Sequence, residues 1–315
     1  MIELHARCPA KINLFLHVVG RRPDGYHLLE SIFCHAGLSG GLYDDLHLSL
    51  SPRKDGQIIF HRTGPLVGIP EEKDLTVKAC KAFLGIQPAS GWDVGIQVIK
   101  RIPEQAGLGG GSSNAAHVLR LLDKQFPQRE NKLALQEMAL RLGADVPFFM
   151  QDNSAFVEGI GEQISPLRGI HASLLIYKPK ENCPTSEIFA SDQLTRDSSP
   201  VKIAVFDSGG IAGNEELAAE ALQVVHHSHM WQFISQHTQN SMQTVVEQLL
   251  PSWQASFNEF CSLVQPCSPL LVRMSGSGSS WFAAFEHQAQ IEQAHQELHK
   301  AGFDRRGLLF QSQID

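Results

Sequence analysis

The chain has 315 residues, and 26 Lys and Arg against 33 Asp and Glu leave it with a net charge of −7. With 43% hydrophobic and 19% charged residues its composition is globular rather than disordered, and its length suits two compact domains. The negative balance excludes bulk attraction to nucleic acid or an anionic membrane, so an anionic ligand has to be held by local devices.

From Ile12 the pattern alternates: Ile12, Leu14, Leu16 and Val18 fall on one face, and Lys11, Asn13, Phe15 and His17 on the other. That period of two predicts a strand. Lys11 and Asn13 then share a face about 7 Å apart, the polar positions of an otherwise apolar element. For a lone lysine on a surface strand, solvation is the default reading. Gly20-Arg21-Arg22-Pro23-Asp24-Gly25 is turn chemistry, and apolar residues resume at Leu28, which predicts a hairpin or strand-loop-strand. Leu46-Leu48-Leu50 and Ile58-Ile59-Phe60 read as short strands, Asp74 to Leu84 as a helix, and Val94, Ile96 and Val98 as another strand.

That strand leads through Ile102-Pro103 into Gly107-Leu108-Gly109-Gly110-Gly111-Ser112-Ser113-Asn114, and Ala115, Leu119 and Leu122 behind it make a helical stripe. Glycines let backbone approach a ligand, and the first N–H groups of a helix lack intrahelical acceptors, so strand-loop-helix of this kind is an anion site, most often for phosphate. Ser112 and Ser113 add hydroxyls for phosphate oxygens or Mg²⁺. The plainer alternative is a glycine-rich turn with Ser as N-cap. No Lys follows the glycines as in a Walker A loop, Ser112 replaces the third Rossmann glycine, and there is no GxSxG elbow, so hydrolase and dehydrogenase readings lose support.

Residues 131–142 predict a further helix capped by Gly143, and Asp145 in Gly143-Ala144-Asp145-Val146-Pro147-Phe148 reads on its own as a helix N-cap ahead of Pro147. Residues 190–240 are the least patterned and are the place for an insertion or mobile segment. Within them His226-His227-Ser228-His229 lacks a nearby carboxylate or Cys to complete a metal site. The C-terminal part predicts strand 270–274, the loop Ser275-Gly276-Ser277-Gly278-Ser279-Ser280, strand 281–285, helix 287–300 and strand 307–312. The core-like flanks favour a tight turn facing a ligand over a flexible linker. Strands and helices interleave irregularly, which predicts an α+β protein of two domains. Six scattered cysteines without CxxC spacing read as buried reduced thiols. No apolar run approaches membrane length, and no signal peptide is seen, so the expected setting is cytoplasmic.

Three stretches together carry a resemblance: Pro9-Ala10-Lys11-Ile12-Asn13-Leu14, then Pro103 with Gly107 to Ser113, then Met274 to Ser279. In that order they resemble the three motifs of the GHMP small-molecule kinases. The runs Gly20 to His27, Gly107 to Asn114 and Gly143 to Phe149 are most similar to the branch of that superfamily acting on 4-diphosphocytidyl-2-C-methyl-D-erythritol. The resemblance spans about residues 7–190 and resumes near 270–285.

It implies an N-terminal domain (1–165) like ribosomal protein S5 domain 2, a ferredoxin-like C-terminal domain (166–315) and ATP-dependent phosphorylation of the substrate's tertiary 2-hydroxyl, with Mg²⁺ inferred from the chemistry. By the same resemblance Asp145 matches the catalytic base and Lys11 its cationic partner. Lys100, Pro103, Gly107, Leu108, Gly109, Gly110, Gly111, Ser112, Ser113 and Asn114 match ATP-binding positions. Asn13, Tyr26, His27, Thr185, Phe189, Gly276 and Ser277 match substrate-binding positions, with Tyr26 and Phe189 as the aromatics that sandwich cytosine. Without the resemblance, Tyr26 and Phe189 read as core and Lys100 as a solvated strand-end lysine.

Asp74 stands where the family usually has Asn near the adenine, Asn240-Ser241-Met242 replaces an Asn-Asp run, Ser280 replaces Thr, and no acidic Mg²⁺ ligand is evident. Expected partners are ATP and a cytidine diphosphate-linked small molecule, with no nucleic acid and no membrane, in a monomer or homodimer. The competing readings are a GHMP kinase for mevalonate, homoserine or a sugar, and a non-catalytic nucleotide-binding or S5-like RNA-binding protein.

Overall fold

A computed structural model describes residues 1–37, 41–86, 91–127, 132–183, 185–201, 223–224 and 227–314. In chain order they form β1 (Ile2–Arg21), β2 (His27–Ala36), β3 (Tyr43–Arg53), β4 (Ile58–Thr63), α1 (Leu75–Leu84), β5 (Gly91–Ile99), α2 (Gly110–Gln125) and α3 (Lys132–Leu142). Then come β6 (Ser154–Gly159), β7 (Gln163–Arg168), β8 (Ala172–Pro179), α4 (Thr185–Ala190), β9 (Gln223–Val224), α5 (His227–His237), α6 (Gln243–Leu249) and α7 (Pro251–Val264). The chain closes with β10 (Leu271–Met274), β11 (Trp281–Phe285), α8 (Gln288–Lys300), α9 (Phe303–Arg306) and β12 (Gly307–Ile314). This is the α+β arrangement expected, and no helix among the described residues is long and apolar enough to cross a membrane.

The chain divides into two compact units, one of Met1–Ala10, Leu42–Glu104 and Gly109–Asp152, the other of Lys11–Gly41, Gln105–Leu108 and Asn153–Asp315. This partition differs from a single cut after residue 165, because β1 gives its first half to one unit and its second half to the other.

In the first unit β3 pairs antiparallel with β1 and with β5, while β4 lies parallel to β5. A parallel neighbour needs a crossover, and α1 supplies it between β4 and β5. The register sets Leu46 opposite Val98, Leu48 opposite Ile96 and Leu50 opposite Val94, all buried. The two alternating runs read from the sequence therefore make one apolar face, and Ala115, Leu119 and Leu122 of α2 are buried with it. The first strand begins at Ile2, ten residues before the alternation at Ile12. Ile2, Leu4 and Ala6 pair with Leu50, Leu48 and Leu46, while Glu3, His5 and Arg7 point to solvent. Ile2 to Arg7 alternate apolar and polar, so the period of two begins at Ile2 and the strand is longer than the run from Ile12.

In the second unit the strands run in the spatial order β10-β11-β8-β12, all antiparallel, with α8 between β11 and β12 in the chain. That is the β–α–β–β–α–β arrangement of a ferredoxin-like half. β2 joins β12 at Ile314↔Ala36 and continues to β6 and β7. The core is aromatic: Trp281 meets Trp253 edge to face at 5.0 Å, with Tyr177 4.9 Å and Phe257 5.5 Å away. Arg273 lies buried in β10 with no carboxylate among its hydrogen-bond partners in the described residues. It donates instead to the carbonyls of Leu14 and Thr238 and to the Thr238 hydroxyl, so its charge ties β1 to the end of α5. Burial pulls its pKa down to about 10.

Five cysteines are buried and Cys261 is half-buried, all as free thiols, and burial raises the pKa of Cys34 to about 12. Of the unpatterned stretch 190–240, residues 202–222 and 225–226 lie outside the described residues, His226 among them, and α5 begins at His227.

Candidate active site

The glycine-rich loop opens α2 without a side-chain cap. Its N-cap is Gly109, left-handed at φ 71°, so Ser112 and Ser113 lie inside the first turn and neither is the N-cap. The serine-cap alternative is thereby replaced by a helix end whose leading amides no side chain covers. Ser113 Oγ and Asn114 Oδ1 are buried and meet no hydrogen-bond partner among the described residues. Buried polar groups are normally satisfied, so two orphans beside bare helix amides fit a polar ligand rich in oxygen. A side chain at Gly110 would press on Ile102 at 3.0 Å and on Lys100 Nζ at 3.1 Å, which keeps this position a glycine. Lys100, just past β5, is not solvated as a strand-end lysine would be. It donates to Asp44 Oδ2 at 2.6 Å, and Asp44, fully buried, also accepts from the backbone N–H groups of Arg101 and Ile102. Pro103 sits in the segment joining β5 to the loop, half-buried.

His117 lies one turn into α2, and its Nδ1 is 2.8 Å from the Ser113 carbonyl oxygen, to which it donates. Burial pulls its pKa down from 6.5 to about 4, the Ser113 bond opposing. The folded state thus keeps a neutral ring where the unfolded chain takes up a proton, so stability falls as pH drops from 6.5 to 4. The expected loss from this group is about 3 kcal/mol, and His117→Gln should flatten that part of a pH series of urea melts. An unchanged slope would show that His117 does not carry it.

Asp74 is the N-cap of α1, buried, accepting from Thr76 N at 2.9 Å and Thr76 Oγ1 at 2.6 Å, with Arg62 at 3.4 Å. Capping is a role Asp performs as well as Asn, which accounts for the departure at this position. Asp145 is half-buried in the turn before a short 3₁₀ segment, Pro147–Met150. The N-cap of that segment is Val146, with no side-chain cap bond, so the capping reading of Asp145 is corrected.

In the second unit Lys11 is 3% exposed, contrary to the solvated reading. Its ammonium donates to Asn13 Oδ1 at 2.6 Å and lies 4.6 Å from the centroid of the Phe33 ring. Asn13 in turn donates to Ser31 Oγ at 3.0 Å, and Ser31 donates to the Phe15 carbonyl, so the amide is locked with its oxygen towards the lysine. The third motif is tied to the same strand. Asn13 N reaches Ser275 Oγ at 3.4 Å, Ser275 Oγ donates to Gly107 O at 3.1 Å, and Asn240 Nδ2 donates to the carbonyls of Met274 and Gly276 at 2.9 and 2.8 Å. Ser275, Ser279 and Ser280 are buried, so the loop is a fixed turn and not a linker. Gly276 has φ 56°, and a side chain there would stand 3.1 Å from Gly107 O and 3.4 Å from Asn13 Oδ1. Thr185 and Ser277 exchange a hydroxyl hydrogen bond at 2.8 Å.

The turn after β1 is closed by Arg22 N to Tyr26 O at 2.7 Å and Gly25 N to Arg22 O at 2.9 Å, with Gly25 at φ 93°. It delivers Tyr26 62% exposed, which corrects the core reading for that ring. His27 stacks on half-buried Phe189 at 4.9 Å and 27°. Arg196, which the sequence did not single out, donates to His27 Nε2 at 3.2 Å and to the carbonyls of Phe189, Ser191 and Leu194. Asn240, marked in the sequence only as part of a departure from the family's Asn-Asp run, had no role assigned to it there. Among the described residues no group of three or more His, Cys, Asp or Glu is placed to hold a metal ion.

Residues 74–153 match the family described as the GHMP kinases N terminal domain. The chain is 39% identical over 304 residues to the 4-diphosphocytidyl-2-C-methyl-D-erythritol kinase of Thiobacillus denitrificans, covering 95% of this chain and 94% of that protein. It is 38% identical over 290 residues to the protein of the same name from Paraburkholderia xenovorans, covering 92% and 88%. A crystal structure of a 4-(cytidine 5'-diphospho)-2C-methyl-D-erythritol kinase superposes with a TM-score of 0.72 at 27% identity over 99% of both chains.

Proposed function

The chain belongs to the 4-diphosphocytidyl-2-C-methyl-D-erythritol kinase family of GHMP kinases, and from that premise we propose how its residues divide the work. The protein is a kinase that transfers the γ-phosphoryl group of ATP to the 2-hydroxyl of 4-diphosphocytidyl-2-C-methyl-D-erythritol, releasing ADP. The observation that carries the ATP assignment is the uncapped start of α2 with orphaned Ser113 and Asn114. Amides of residues 110–112 and the Ser112 and Ser113 hydroxyls take the phosphates, the Ser113 amide being bonded to Gly109 O, and Gly107 to Asn114 with Pro103 shape the loop around them. Lys100, fixed by Asp44, lies beside the adenosine.

Mg²⁺ would be held by the ATP phosphates with the Ser113 hydroxyl, whose oxygen is buried and unclaimed, and would neutralise charge on the transferring group.

The accepting alcohol is tertiary and a weak nucleophile. Asp145 is the carboxylate that accepts its proton as the O–P bond forms, and Lys11, oriented by Asn13, supplies positive charge to the reacting groups. Tyr26, His27 and Phe189 take the cytosine, while Thr185, Gly276 and Ser277 hold the rest of the substrate. The exposure of Tyr26 supports this, since an uncovered ring beside a stacked His–Phe pair is surface waiting for a flat partner. Tyr26→Ala should raise the substrate KM about 10-fold with kcat within about 2-fold, since stacking on a base is worth about 1–3 kcal/mol. An unchanged KM would remove Tyr26 from the pocket. The substrate class is tested by offering mevalonate, homoserine and the cytidine substrate in parallel; turnover with either cytidine-free alcohol and none with the cytidine compound would overturn the reading.

A further inference from the structure

The tautomer of His27 is fixed by its neighbour. A guanidinium has donors only, so Arg196 Nε–H, 3.2 Å from His27 Nε2, requires a lone pair on that nitrogen. The single proton of the neutral ring is then on Nδ1. The ring is kept neutral by partial burial and by the charges of Arg196 and Arg21, which together lower its pKa. Arg196 is itself held rigidly: three of its four other N–H donors reach the carbonyls of Leu194 at 3.2 Å, Phe189 at 3.0 Å and Ser191 at 2.8 Å. The same guanidinium therefore sets the position of the stacking ring Phe189 and the polarity of His27.

We propose that Arg196 is a positioning residue that holds His27 as an Nδ1–H donor and thereby makes the pocket choose cytosine over uracil. This rests on Tyr26, His27 and Phe189 being the cytosine pocket. The two bases offer the same flat face, so stacking cannot separate them. They differ at ring position 3, where cytosine presents a lone pair and uracil an N–H. A fixed donor pairs with the first and opposes the second hydrogen to hydrogen, leaving two buried donors unpaired. An imidazole free to exchange its proton would accommodate either base.

Three measurements on the intact protein test it. Nitrogen-15 NMR of the histidine rings should show His27 protonated at Nδ1 in the ligand-free wild type, and a ring protonated at Nε2 would overturn the proposal without any variant. By titration calorimetry the wild type should prefer CDP to UDP by about 100-fold. In Arg196→Met that preference should shrink by about 10-fold, with kcat for the cytidine substrate held within about 2-fold while KM rises. Arg196→Lys, which keeps a cationic donor, should recover part of the preference. A merely structural arginine would weaken CDP and UDP equally, so an unchanged ratio in Arg196→Met refutes the proposal. Failure of the wild type to bind CDP at all would instead remove the pocket assignment, and the proposal with it.

Discussion

Asp145→Asn is expected to lower kcat by about 10²–10⁴-fold while leaving the dissociation constant for ATP nearly unchanged. The amide has the shape of the carboxylate but cannot accept the proton of the 2-hydroxyl. A tertiary alcohol that keeps its proton attacks phosphorus poorly. The ATP assignment, by contrast, rests on the amides and hydroxyls at the start of α2, which the substitution does not alter. A thermal melt of the variant within a few degrees of wild type separates chemistry from folding. ADP release at near-wild-type rate in this variant would exclude Asp145 as the base.

Gly107→Ala should be a severely damaging addition of a single methyl. The residue sits at φ 71°, where a side chain is strained, and its Cβ would stand against three backbone atoms: the carbonyl oxygens of Ser275 and Gly278 and, at 3.1 Å, the nitrogen of Gly278. Backbone cannot rotate away as a side chain does, so the second and third motif loops must move apart. Gly302→Ala is the control, since it has φ 77° but no atom within 4 Å of the added carbon. Strain alone should cost that variant about 1 kcal/mol, whereas Gly107→Ala should lose about 3 kcal/mol together with measurable ATP affinity. Equal shifts of Tm in the two variants would show that the close approach of the loops carries no weight.

What could be read from residues alone followed the physics of local patterns. Leu46, Leu48 and Leu50 alternate as strongly as Val94, Ile96 and Val98, so both strands and their shared face were legible. The glycine loop and its helix announced themselves by spacing. Polar residues whose role depends on burial by distant segments did not. Lys11 looks like a solvated strand lysine until Phe33 and Asn13 enclose it, and Lys100 looks the same until Asp44 meets it from 56 residues away. Arg196 reaches His27 across 169 residues, and Asn240 reaches Gly276 across 36, distances over which no periodicity speaks. Asp145 shows the opposite error: its surroundings suggested a cap, and the turn places Val146 there instead. The resemblance supplied what spacing could not, by joining motifs at 9–14, 103–114 and 274–279 into one chemistry.

The central claim is a phosphoryl transfer to one particular hydroxyl. Phosphorus-31 NMR of a reaction with ATP and 4-diphosphocytidyl-2-C-methyl-D-erythritol tests it most directly. The account predicts one new phosphomonoester resonance on the 2-oxygen, appearing in step with ADP, with both resonances of the cytidine diphosphate unchanged. ADP accompanied only by inorganic phosphate, or a phosphate on a different hydroxyl, would contradict it.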